Sequence, residues 1–173
     1  MALDDLLNDE ALLRYSRQIL LPRFDVAGQA ALLNARVLVV GAGGLGCPVV
    51  LYLAAAGVGW LRVVDDDQVE LSNLQRQIAF GMDDLGQAKA ERLAARARQL
   101  NPSVKIEAWV GRLHGDVLDD EVAAVDLVVD ASDNFATRFA LNAACQRHAR
   151  PLVSGAAIRA EGQVSVFDPR QPQ

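Results

Sequence analysis

The spacing of apolar residues changes repeatedly along this chain, and the changes mark out its elements. Between Asp9 and Leu21, Leu12, Leu13, Ile19 and Leu20 recur at roughly helical spacing with Arg14 and Arg17 between them, and Pro22 ends the run. A helix over 9–21 is expected there. Ala27 to Asn34 reads as a second helical stretch leading into Arg36-Val37-Leu38-Val39-Val40, a β-branched apolar run of the kind that forms a strand covered on both faces. Glycines follow at once, and Pro48 sits where proline is tolerated, in the first turn of a helix running to Ala56. After Gly57 and Gly59, a further apolar run from Leu61 to Val64 ends in the carboxylates Asp65, Asp66 and Asp67.

The second half repeats the alternation. Ala, Arg, Glu and Leu content predicts a long helix over Gly86 to Leu100, ended by Asn101-Pro102 and followed by a strand from Val104 to Val110. Asp126-Leu127-Val128-Val129 reads as a central strand, Asn134 to His148 as a helix, Leu152-Val153 as a strand, and Gln163 to Phe167 as a strand with one wetter face. Strands alternating with helices predict an α/β fold: a Rossmann-like, doubly wound, mostly parallel sheet with helices on both faces and an N-terminal helical extension. Ligands of such sheets collect at the carboxyl ends of the strands. The glycines after Val40, the aspartates after Val64 and Asp130-Ala131-Ser132-Asp133-Asn134 after Val129 all fall there.

Composition narrows the picture. At 173 residues and 51% hydrophobic the chain suits a single domain over 1–173 with a sizeable core. A net charge of −5 speaks against a nucleic-acid partner, which would need a concentrated basic face. The acidic, mixed stretch Met1 to Asn8 and the lack of a long apolar run predict a cytoplasmic protein that does not enter a membrane. Cys47 and Cys145 are far apart and outside any Cys-x-x-Cys pattern, and His114 and His148 have no ligand-like spacing, so none of the four suggests a disulfide or metal site. Asp168 to Gln173 has the composition of an irregular tail.

Candidate chemistry starts at the glycines. Gly41, Gly43 and Gly46 match Gly-x-Gly-x-x-Gly, a weak motif alone, but it follows a strand, opens a helix and has Asp65 about 20 residues on, where a carboxylate can accept ribose hydroxyl hydrogen bonds. Leu71-Ser72-Asn73-Leu74-Gln75-Arg76-Gln77 places two amides around a guanidinium just past that point, and a guanidinium aimed at a triphosphate offsets charge and holds oxygens bidentately. A solvated loop with a surface arginine has the same spacing. Lys89, near the start of the long helix, opposes the macrodipole unless an anion sits there; a phosphate would supply one, and an exposed surface lysine is the alternative. Asp130 and Asp133 offer the hard oxygen ligands that magnesium accepts, while Asp133 could equally cap the helix that follows. Arg14 and Arg17, taken alone, read as a solvated helix face.

Taken together, Arg14-Tyr15-Ser16-Arg17-Gln18, Gly41-Ala42-Gly43-Gly44-Leu45-Gly46, Ser72-Asn73-Leu74-Gln75-Arg76-Gln77, Lys89 and Asp133-Asn134 closely resemble the MoeB/ThiF family, bacterial relatives of ubiquitin-activating enzymes, from about Leu12 to Phe167. The resemblance implies an ATP-dependent adenylyltransferase. In it, the terminal glycine carboxylate of a ubiquitin-like sulphur-carrier protein attacks the ATP α-phosphate, giving an acyl-adenylate and pyrophosphate. It further implies that Asp65 binds the ribose, Gly44 the phosphates through its backbone, Asn73, Arg76 and Lys89 the triphosphate, and Asp133 the magnesium. Arg17 would reach in from the partner subunit of a homodimer. Asp67, Ser72, Leu74, Gln75 and Asn134 belong to the same implied ATP site. Val153 to Gln163 looks most like the molybdopterin-synthase branch, although Arg14 to Leu21 also resembles the thiamine branch. The family continues with Cys-x-x-Cys zinc ligands, a crossover loop and further strands that this sequence lacks, so zinc is not carried over and a domain truncated at its C-terminus is expected. Two rivals stand beside this reading. One is a nicotinamide-dependent oxidoreductase, which leaves Asn73, Arg76 and Lys89 idle; the other is a non-catalytic ATP-binding or dimerisation module.

Overall fold

A computed structural model describes residues 7–171; residues 1–6 and 172–173, parts of the acidic lead-in and of the irregular tail, lie outside the described residues. The helices are α1 (Asp9–Arg14), α2 (Ser16–Ile19), α3 (Asp25–Asn34), α4 (Gly46–Ala56), α5 (Lys89–Leu100), α6 (Gly115–Ala123) and α7 (Phe135–Arg147). The strands are β1 (Arg36–Val40), β2 (Trp60–Asp65), β3 (Lys105–Val110), β4 (Leu127–Asp130), β5 (Leu152–Ile158) and β6 (Glu161–Phe167). They form one sheet in the order β3-β2-β1-β4-β5-β6, parallel except for β6, which runs antiparallel to β5. This is the doubly wound sheet expected from the sequence. Its winding reverses between β1 and β4, where a crevice opens at the carboxyl ends.

The central strands carry two cores at once. Val37 and Val39 of β1 join Leu61 and Val63 of β2 against Val50 and Ala54 of α4 and Leu93 and Ala97 of α5. Leu38 and Val40 join Val64 and Val128 against Leu118 and Val122 of α6 and Leu141 and Ala144 of α7. Successive side chains on a strand point to opposite faces, so a strand covered on both sides is apolar throughout. Among the described residues no helix is long and apolar enough to cross a membrane.

Several boundaries differ from expectation, among them the end of β5, which runs to Ile158 rather than Val153, and one helix was not anticipated. The helix over 9–21 is interrupted at Tyr15, which closes α1 with a non-helical backbone (φ −99°, ψ 11°) and turns its ring inward to 1% exposure. The long helix begins at Lys89 rather than at Gly86, whose φ is +78°. Acidic residues dominate the sequence of α6, so its apolar signal reduces to the pair Leu118 and Val122, one helical turn apart.

Tyr15 is the anchor of the N-terminal extension. Its hydroxyl accepts a 2.8 Å hydrogen bond from Asn101 Nδ2, which also donates to the Ala54 carbonyl at 2.7 Å. Gln18 and Gln29 donate to the Ala56 carbonyl, and Arg14 donates to that of Leu100. Each acceptor belongs to the last turn of α4 or α5, where carbonyls have no helical partner and favour cationic or amide donors. The extension therefore caps helix ends on the side of the sheet away from the glycine loop, because α4 starts at that loop and carries 11 residues, about 16 Å, back across the sheet.

Asn101→Ala removes both donors and leaves buried acceptors behind, so denaturant unfolding should show a loss of about 1–3 kcal/mol, with Tyr15→Phe costing less. At the outer side of the sheet, the hydrogen bond from Lys105 and the pairing with Arg62 hold the Glu107 carboxyl at about 2, below its ordinary 4.5. A depressed carboxyl contributes stability above its unfolded value and loses it as pH falls. Glu107→Gln should accordingly cost about 1 kcal/mol near neutral pH after solvent screening, and the gap to the parent should close as unfolding is followed from pH 4.5 towards 2.

Candidate functional site

The chain leaves β1 through Gly41-Ala42-Gly43-Gly44-Leu45 and enters α4 at Gly46. Gly41 has φ +103°, and a β-carbon there would lie 2.5 Å from the Ala131 carbonyl oxygen. A β-carbon on Gly46 would lie 1.8 Å from the Gly41 carbonyl oxygen. These two glycines let the loop fold onto the end of β4 and onto itself. Gly43 and Gly44 have side-chain neighbours instead: Gln77 Nε2 lies 3.7 Å from a β-carbon position on Gly43, and the Arg76 stem 3.5 Å from one on Gly44. The 71–77 segment is thus packed against the glycine loop.

Asp65, at the end of β2, holds the loop's other side. Its Oδ2 accepts the Ala42 amide at 2.7 Å and its Oδ1 the Asp67 amide at 2.8 Å. Burial pushes its carboxyl above the ordinary value, against the lowering effect of those amides. Each oxygen keeps a second acceptor direction, so a ribose hydroxyl can still be received. Lys89 is 6% exposed and its Nζ lies 2.7 Å from Asp67 Oδ2. The anion beside it at the start of α5 is a carboxylate of this chain, and at 6% exposure Lys89 is not the exposed surface lysine that was the alternative.

Asn73 is buried and closes a reciprocal cap with Glu70. Arg76 donates only to the Ser72 carbonyl, at 3.2 Å. Across the cleft, Asp130 is fully buried and saturated: Ser132 donates twice to one oxygen, and Ser154 and Arg138 donate to the other at 2.8 and 2.9 Å. The candidacy of Asp130 as a magnesium ligand is overturned by those four bonds. Asp133, three residues on, is exposed and has no hydrogen bond or ion pair among the described residues. The alternative role of Asp133 as a cap falls to its neighbour, since Asn134 Oδ1 accepts the Thr137 amide at 2.9 Å.

These groups line one cleft of about 880 Å³ at the carboxyl ends of the strands. It brings together Gly41, Gly43, Gly44, Asp65, Asp67, Asn73, Arg76, Lys89, Asp133 and Asn134. Besides Asp130, five of the sequence candidates do not line it. Gly46 lies inside the first turn of α4, Leu74 packs on the core, Ser72 and Gln75 face solvent, and Arg17 sits on α2 beyond the far end of α4. The cleft also holds residues that the sequence reading did not single out. Arg112 follows β3 and could have been found by the strand-end rule. Gln77, whose buried Oε1 has no partner, belonged to a motif already noted. Arg138 carried no sequence signal, and Arg159 stood only as one position of the Val153 to Gln163 segment, with no role of its own.

Gly46→Ala should lower stability by about 1–3 kcal/mol or prevent folding, because backbone must move. Gly43→Ala, which has room, should stay within about 0.5 kcal/mol of the parent in the same thermal unfolding series.

The sequence profile of the ThiF family matches residues 15–173. The Sulfur carrier protein ThiS adenylyltransferase of Escherichia coli K12 is 48% identical over 163 residues, covering 94% of this chain and 65% of that protein. The SAMP-activating enzyme E1 of Haloferax volcanii is 52% identical, covering 92% and 59%, and the Molybdopterin-synthase adenylyltransferase of Salmonella typhimurium LT2 is 48% identical, covering 95% and 66%. The chain thus spans about two thirds of these relatives or less. Among solved structures, the Escherichia coli tRNA N6-threonylcarbamoyladenosine dehydratase TcdA in complex with ATP superposes with a TM-score of 0.80 at 30% identity, over 88% of this chain and 64% of that one. PaaA superposes with a TM-score of 0.83 at 26% identity, over 95% and 53%.

Proposed function

Because the chain belongs to the ThiF family, we propose that it activates the C-terminal carboxylate of a ubiquitin-like sulphur-carrier protein by adenylation with ATP and magnesium. The observation that carries this reading is the content of the cleft. Arg76 and Lys89 stand beside a glycine loop on one wall, and the unpaired carboxylate of Asp133 stands on the other. A nicotinamide enzyme has no use for that combination. The names of the relatives support the reaction class: three are adenylyltransferases or an activating enzyme, two of them for sulphur-carrier or molybdopterin chemistry.

The residues divide the work. Backbone amides of Gly43 and Gly44 and the start of α4 receive phosphate oxygens, and Asp65 accepts a ribose hydroxyl with its remaining lone pairs. Asn73, Arg76 and Lys89 hold the triphosphate, with Lys89 turning from Asp67 to an oxygen of higher charge density. Asp133 fits magnesium, since a carboxylate with no protein partner at a phosphate site is the hard oxygen donor that the ion accepts; the ion would neutralise phosphate charge there. The carrier carboxylate oxygen bonds to the α-phosphorus, the bond from that phosphorus to the pyrophosphate oxygen breaks, and the electron pair leaves with pyrophosphate. Cations fixed around the phosphates stabilise the charge that shifts during this exchange.

Arg17 enters from a second copy. Its helix is anchored where α4 and α5 end, across the sheet from its own cleft, so it can serve only another chain's phosphates. The carrier is of the molybdopterin-synthase type by the likeness of Val153 to Gln163, with the thiamine type as the comparison arm of the test.

Magnesium- and carrier-dependent exchange of labelled pyrophosphate into ATP measures the reaction directly. Arg17→Ala and Asp133→Ala should each reduce exchange at least about 100-fold, and an equimolar mixture of the two proteins should regain part of it through hybrid sites. Exchange with neither carrier would sink the enzyme reading. Absence of any rescue would sink the shared site.

A further inference from the structure

Charge pairing inside the cleft singles out one residue to which neither the sequence motifs nor the proposed ATP site gives a role. Five cations line the cleft: Arg76, Lys89, Arg112, Arg138 and Arg159. Three have a carboxylate of this chain within 3 Å, namely Asp67 for Lys89, Asp66 for Arg112 and Asp130 for Arg138. Arg76 has no such partner, but its stem runs along Gly44, which assigns it to the phosphates. That leaves Arg159, which makes no hydrogen bond or ion pair among the described residues.

Its backbone is as unusual as its charge. Ile158 pairs with Glu161, so Arg159 and Ala160 alone form the turn between β5 and β6. A two-residue hairpin turn favours Asn, Asp or Gly where φ is positive, and Arg159 occupies such a position with φ +54°. A long side chain in the left-handed region is held against its own preference, and residues that break a local rule concentrate at functional sites. The turn extends β5, the strand next to β4, so Arg159 stands on the Asp133 side of the cleft while Arg76 stands on the side of the glycine loop.

Resting on the adenylation reading, we propose that Arg159 is the catalytic residue that receives the carrier's attacking carboxylate. A carboxylate approaching a triphosphate meets like charge, and a nearby cation not already neutralised lowers that repulsion while fixing the oxygen that attacks. The guanidinium can donate two parallel hydrogen bonds to a carboxylate.

Arg159→Gly isolates this role, since glycine adopts the turn without strain while the charge is lost. The probes are a sulphur-carrier protein with a free terminal glycine carboxylate and the same carrier with that carboxylate converted to the primary amide, each titrated calorimetrically into the 173-residue protein with ATP and magnesium. The parent should bind the free carboxylate about tenfold more tightly than the amide. In Arg159→Gly that preference should vanish, with ATP affinity within about twofold and the unfolding temperature equal to or above that of the parent. Arg159→Lys should keep part of the preference. A parent that does not discriminate, a preference that survives in Arg159→Gly, or an affinity loss for ATP in place of the carrier would each overturn the assignment. Pyrophosphate exchange in the parent reports separately on the adenylation reading.

Discussion

Both oxygens of Asp65 accept backbone amides, one from Ala42 inside the glycine loop and one from Asp67 just beyond β2. Two strand ends that meet only through side-by-side pairing are thereby tied at the wall of the cleft. The tie fixes the direction of the loop's free amides and places the Asp67 side chain within reach of Lys89, which sets where the ammonium waits. Burial raises the carboxyl of Asp65, so the charged form that accepts these amides is maintained at a cost. That cost is offset by amides which would otherwise end the strand and the loop unpaired.

A second constraint acts from the opposite end of the sheet. Gln18 and Gln29 donate to the Ala56 carbonyl at the close of α4, and Asn101 donates both to the Ala54 carbonyl of that helix and to the Tyr15 hydroxyl. Since α4 also begins at Gly46, one helix connects the N-terminal extension to the glycine loop as a rigid body. Arg17 and the glycines are therefore held at a fixed separation within one chain.

The doubly wound, mostly parallel architecture and the three strand ends that line the cleft were legible because they depend on local pattern. Apolar runs mark buried strands whatever the tertiary context, and strand-glycine-helix has a local geometric cause. Arg76 and Lys89 were legible as charges whose place in their own segments calls for an anion, although their partners in the cleft, Gly44 and Asp67, lie far off in sequence. Contacts between distant segments were not legible. Tyr15 meets Asn101 across 86 positions and Ser154 meets Asp130 across 24, so nothing near Tyr15 announces a break in its helix and nothing near Asp130 shows its lone pairs to be filled. Asp130 and Asp133 look equivalent in sequence; burial, a property of the whole fold, separates them. Helix α6 was hidden for another reason, because its solvated face is acidic and its buried face amounts to two side chains.

The paired state of the cleft also bears on how a nucleotide could enter. Lys89 has a side chain that is 7% exposed, and an unpaired ammonium at that depth would carry a large desolvation penalty; Asp67, whose side chain is 61% exposed, relieves it without being buried itself. On the proposed adenylation reading, an incoming phosphate would replace Asp67 as the partner of Lys89 and return that carboxylate to water, where it is already mostly solvated. The exchange trades one anion for another around a fixed cation, so little of the ammonium's solvation has to be undone at the moment of binding. Arg138 presents the opposite arrangement. Its partner Asp130 is fully buried and receives three other donors, so displacing it would strand a charge in the interior. Of two ion pairs at similar distances in one cleft, the exposure of the carboxylate decides which one can open to a ligand and which one serves as scaffold.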